Sequence, residues 1–89
     1  MDEQDDIPLD AECQAALERG LLPIRDVSRL TGVNAVTLRA WERRYGLVLP
    51  HRTAKGHRLY DAGHLARIRA VLAWLDRGVP VSQVKALLR

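Results

Sequence analysis

Two stretches concentrate the side chains able to do chemistry: TLRAWERRYGL, from Thr37 to Leu47, and HRTAKGHRLY, from His51 to Tyr60. They bring Arg39, Arg43, Arg44, Arg52, Lys55 and Arg58 together with Trp41, Tyr45, His57 and Tyr60. Cationic groups interleaved with aromatics suit a polyanion, because guanidinium forks pair with phosphate oxygens and with the edges of guanine. Other chemistries lack their side chains or their spacing. His51, His57 and His64 stand six and seven residues apart, which matches no common zinc pattern, and the single Cys13 lies far off in an acidic segment. No phosphate-cradling G-x-x-x-x-G-K-[ST] loop, paired acids at a cleft or Ser/His/Asp set is present. Neither a metal site nor an enzyme is expected.

The elements that must position these residues can be read from periodicity and caps. Ile24, Val27 and Leu30 recur every three residues, predicting a short helix that ends near Thr31 with Gly32 as the left-handed terminator. Asn34 is a good N-cap for a second helix reaching Tyr45, closed by Gly46. At 100° per residue, Leu38, Trp41 and Tyr45 fall on one side of that helix. Val36, Arg39, Ala40 and Arg43 fall on the other, with Arg44 at its edge. Two short helices joined by a tight Gly-containing turn spell a helix-turn-helix, whose second helix enters the DNA major groove. Small Val36 and Ala40 allow close approach, while Arg39 and Arg43 reach base edges and phosphates.

Beyond it, Leu49–Arg52 and His57–Tyr60 are predicted to pair as a hairpin across Thr53–Gly56, a basic wing carrying Arg52, Lys55 and Arg58. Asp61 then caps a longer helix with Leu65, Ile68, Val71, Leu72 and Leu75 on one stripe, ending at Gly78. Pro80 opens a last short helix bearing Val81, Val84, Leu87 and Leu88. Leu21–Ile24 is a short apolar run able to pair as a strand. The fold class expected is mainly α: a winged helix-turn-helix of two helices, a small β-hairpin wing and two further helices.

Charge divides the 89 residues. Residues 1–20 carry seven acids against Arg19, a balance of −6. Residues 21–89 carry thirteen Lys and Arg against Asp26, Glu42, Asp61 and Asp76, a balance of +9. The first part reads as an acidic, partly disordered leader, disordered to about Asp10 and then a short, weakly docked helix over Leu9, Cys13, Ala16 and Leu17. The second reads as the DNA-binding domain. A single cysteine excludes an internal disulfide, and no apolar run spans a membrane, so a cytoplasmic protein is expected.

The series PIRDVSRLTGVNAVTLRAWERRYGL, then P-x-RT-x-x-GHRLY, then GVPVSQVKALL, resembles the DNA-binding domain of MerR-family transcription regulators. WERRYGL and GHRLY are most similar to the branch that includes MlrA, CarA and CarH. The resemblance covers residues 21–89 and implies sequence-specific binding of double-stranded promoter DNA, by a homodimer, at promoters used by RNA polymerase. It assigns DNA contacts to Thr37, Arg39, Trp41 and Arg43 in the helix and to Arg52, Lys55, His57 and Arg58 in the wing. Asn34, Val36, Ala40 and Arg44 complete the expected interface. The family's dimerising helix and C-terminal effector domain have no counterpart here, so the chain reads as a fragment, monomeric by itself. No cofactor is expected in this chain; a missing C-terminal domain is where cobalamin or another effector would bind.

Several readings stay open on the sequence alone. Trp41 belongs to the core or stacks on DNA, and Trp74, off the apolar stripe of its helix, packs internally or marks an interface. Glu42 pairs with Arg39 or with a wing arginine. An excisionase-like architectural factor, or a basic module bound by an acidic protein that mimics DNA, would use the same surface.

Overall fold

Caps and glycines set the element boundaries in the computed structural model, which describes residues 10–88. The expectation of disorder before Asp10 lies outside these residues. The elements run α1 (Ala11–Glu18), β1 (Leu22–Pro23), α2 (Ile24–Thr31), α3 (Ala35–Ala40, continued by a wider turn over Trp41–Tyr45), β2 (His51–Arg52), β3 (Arg58–Tyr60), α4 (Ala62–Asp76) and α5 (Val81–Val84, tightening over Lys85–Leu87). Asp10 accepts the Cys13 N–H at 2.8 Å and starts α1. Asn34 does the same for Thr37 at 2.8 Å in α3. Gly32 and Gly46 end α2 and α3 at φ of 79° and 60°, where a side chain would be strained.

The wing differs from a simple hairpin. β1 joins it, giving an antiparallel sheet in the order β1-β3-β2, with Leu22 opposite Tyr60 and Arg52 opposite Arg58. Pro23 is tolerated because β1 is an edge strand. The sheet therefore ties the wing to the segment that leads directly into α2.

Ile24, Val27, Leu38, Leu47, Tyr60, Ile68, Val71 and Val84 form one core, each at most 1 % exposed. Two apolar residues of the predicted helices, Leu30 and Leu87, point outward. Leu30 is 59 % exposed, because a spacing of three falls about 60° behind the helical turn at each step and two steps carry it off the face of Ile24. Leu87 is 41 % exposed, while its neighbour Leu88 packs partly buried against the core. Trp74 packs partly buried against the core, with the Arg77 guanidinium 5.2 Å from its ring centre. No described helix is long and apolar enough to cross a membrane.

Asp61 caps α4 reciprocally: its Oδ1 accepts the His64 N–H at 3.0 Å, and His64 Nδ1 accepts the Asp61 N–H at 2.9 Å. The His51 ring, 2.9 Å away, and then the His64 N–H hold the Asp61 carboxyl below its ordinary value. A carboxyl so depressed contributes stability above its unfolded pKa and loses it as pH falls through the lower folded value. Asp61→Ala is expected to cost about 1 kcal/mol at neutral pH. In urea titrations the gap from wild type should narrow as pH falls below the ordinary carboxylate range and close once Asp61 is protonated in both states.

Candidate nucleic-acid interface

One face of α3 is fixed by burial. Leu38 and Trp41 are 1 % and 5 % exposed, and Tyr45 packs partly buried beside them. Their anchoring turns the opposite face to solvent. Val36 there is 71 % exposed, Arg43 and Arg44 are exposed, and Arg39 and Ala40 are half-buried. These five residues line a single shallow concavity that includes no acid. A convex duplex edge fits such a surface: Val36 suits a thymine methyl, the arginines guanine or phosphate. Asn34 and Thr37 sit at the start of the helix, joined by the cap.

The wing divides into exposed and buried cations. Lys55 stands exposed at its turn, and Arg52 is 39 % exposed in its side chain. Arg58 is only 2 % exposed, with its Nε donating to Glu42 Oε1 at 2.7 Å. Glu42 also accepts from Arg52 Nη2 at 3.1 Å, while Arg52 Nη1 donates to the Gly56 carbonyl at 2.8 Å. Of the two partners open for Glu42 in the sequence, a wing arginine is thus present, and it is a pair of them. One carboxylate on α3 clamps both strands of the hairpin and sets the angle between helix and wing.

Three residues expected to touch DNA are withdrawn from the surface. Trp41 is core, because its indole fills the space between the helices. Arg58 turns inward because strand alternation puts it on the same side as Tyr60, where Glu42 compensates its charge. His57 is 8 % exposed and faces Asp10, its Nε2 3.7 Å from Oδ2. The exposed set that remains is Asn34, Val36, Arg43, Arg44, Arg52 and Lys55, with Thr37, Arg39 and Ala40 half-buried among them.

The acidic leader supplies contacts that the sequence did not reveal. Cys13 and Ala16 of α1 are buried, and Glu12 Oε1 accepts the Ala54 N–H of the wing turn at 3.0 Å. Here α1 lies against β1 and the wing turn, and Leu59 of β3 is 3 % exposed. The signal was present in part: all three residues of β3 are too bulky to leave one face bare.

Residues 22–89 match the family described as MerR HTH family regulatory protein. The chain is 53 % identical over 68 residues to the HTH-type transcriptional regulator MlrA of Escherichia coli, covering 76 % of this chain and 28 % of that protein. It is 38 % identical over 65 residues to the HTH-type transcriptional repressor CarH of Myxococcus xanthus, covering 73 % of this chain and 22 % of that protein. Against the repressor CarA of the same organism the identity is 37 % over 70 residues, covering 76 % of this chain and 24 % of that protein. The chain spans about a quarter of the length of these relatives. Motif order, the three-stranded wing and these likenesses agree: the chain belongs to the MerR family of helix-turn-helix regulatory proteins, which regulate transcription by binding DNA.

Proposed function

We propose that this chain reads a double-stranded promoter site by laying α3 in the major groove, while Arg52 and Lys55 of the wing hold the flanking phosphate backbone. The observation that carries the reading is the acid-free concavity of Val36, Arg39, Ala40, Arg43 and Arg44, backed by a rigidly packed Leu38 and Trp41. We assign it binding without catalysis. The longer protein would act as a homodimer on a palindromic site beside RNA polymerase in the cytoplasm, and an effector, cobalamin among the candidates, would act through a domain outside these residues.

Phosphate neutralisation should dominate affinity. With about five to eight phosphate contacts, log K should fall against log salt with a slope of about −5 to −7. Lys55→Ala should lower that slope by about one and weaken all sequences alike, because a phosphate contact carries no sequence information. Fluorescence anisotropy over a salt series checks both values. A salt-independent affinity would remove the reading.

A further inference from the structure

The docking of α1 on the wing brings together three side chains of different ligand type. Asp10, Cys13 and His57 each direct one donor atom so that all three lie within 4.8 Å of one another. We propose that they form a binding site for a thiophilic divalent cation of the Zn²⁺ class, which clips α1 to the wing.

The chemistry of the donors selects the ion. A thiolate, an imidazole and a carboxylate suit zinc and its neighbours and disfavour the hard cations Ca²⁺ and Mg²⁺. Geometry is close to what such an ion needs. Around a tetrahedral centre with bonds of about 2.0–2.3 Å, neighbouring donors stand roughly 3.3–3.8 Å apart. His57 Nε2 and Asp10 Oδ2 stand 3.7 Å apart, too far for a good hydrogen bond and near that edge length.

Asp10 divides its two oxygens between two roles. Oδ1 caps α1 on the Cys13 N–H at 2.8 Å, whereas Oδ2 is buried with no hydrogen-bond partner. A buried carboxylate oxygen without a donor is costly, and a cation relieves that cost. His57 is held in place by its own backbone: its N–H donates to Thr53 Oγ1 at 3.1 Å, and its carbonyl accepts the Thr53 N–H at 3.0 Å. Cys13 is fully buried, so the thiol does not wander.

Burial first, and then the neighbouring Asp10 carboxylate, push the Cys13 thiol above its ordinary value, so the metal-free thiol is protonated. On binding, the S–H bond breaks, an S–metal bond forms and one proton leaves to solvent. Three protein donors leave a fourth position for water or a small ligand.

A second group, His51, Asp61 and His64, is a weaker claimant. Its Asp61 and His64 are already joined in the reciprocal cap of α4, and His51 is 58 % exposed in its side chain. The two groups are separable by test.

The test uses the chain as it stands, titrated with Co²⁺ as a spectroscopic substitute for Zn²⁺ and then with Zn²⁺ in competition. The expected result is one ion per chain, a thiolate-to-cobalt charge-transfer band, and an unfolding midpoint that rises with Zn²⁺. Cys13→Ala should abolish the band. Asp10→Asn keeps a capping side chain and His57→Gln keeps a polar one, so both should fold, verified by circular dichroism, yet lose most of the affinity. His51→Ala should bind as wild type. Absence of the charge-transfer band overturns the proposal. So does a band undiminished in Asp10→Asn and His57→Gln, or binding that survives Cys13→Ala and disappears in His51→Ala. No DNA enters the experiment, so its outcome is independent of the DNA-binding reading.

Discussion

Glu42→Ala should destabilise the chain by about 3–5 kcal/mol, the cost of removing one partner from a buried ion pair. The reason is Arg58. Its guanidinium is 2 % exposed, and its Nε donates at 2.7 Å to a carboxylate that is itself only 15 % exposed. Without Glu42 that buried charge loses the carboxylate that its Nε donates to. Domains of this size are stable by only about 5–15 kcal/mol, so the variant should be partly unfolded at modest urea. Arg52→Ala removes the more exposed arm of the same clamp and should cost at most about 1 kcal/mol. Equilibrium urea unfolding of both variants checks the contrast. A Glu42→Ala midpoint close to that of Arg52→Ala would show that the pair is not what joins helix and wing.

The second large effect concerns recognition. Arg39→Ala and Arg43→Ala are each expected to weaken binding to a preferred site by about fivefold to 150-fold, the 1–3 kcal/mol of a bidentate guanine contact. Their affinity for unrelated duplexes should change far less, so discrimination falls. Arg43→Ala should leave folding unaffected, because Arg43 is exposed on the face opposite Leu38 and Trp41; circular dichroism on both variants checks that the losses come from binding. Competition titrations with preferred and scrambled duplexes separate this outcome from that of Lys55→Ala, where all sequences suffer together. Equal losses on both duplexes would move Arg39 and Arg43 from base reading to backbone holding.

Local signals were legible in the sequence. Asn34 and Asp61 as N-caps, and Gly32 and Gly46 as left-handed terminators, depend only on neighbours three or four residues away. The face of α3 followed from its period, because one helix with a bulky apolar side has one orientation available.

Contacts between distant segments were harder. Arg58 reads as one more surface cation in HRTAKGHRLY until strand alternation with Tyr60 is applied and Glu42 is found sixteen residues back. The docking of α1 was least legible. Its eight residues carry one large apolar side chain, Leu17, and what holds it includes an acid on a wing amide, Glu12 to Ala54, across forty-two residues. The same distance hid the meeting of Asp10 and Cys13 with His57, since the spacing of the histidines alone never brings in the leader.

The central claim is that guanidinium groups on the outer face of α3 enter the major groove. Methylation interference at guanine N7, on duplexes selected by this chain from a random pool, tests it directly. Methylating particular guanines should block binding by the wild-type chain, and Arg39→Ala or Arg43→Ala should become indifferent to one of those positions. Binding that tolerates N7 methylation everywhere, or an interference pattern unchanged in both variants, would contradict it.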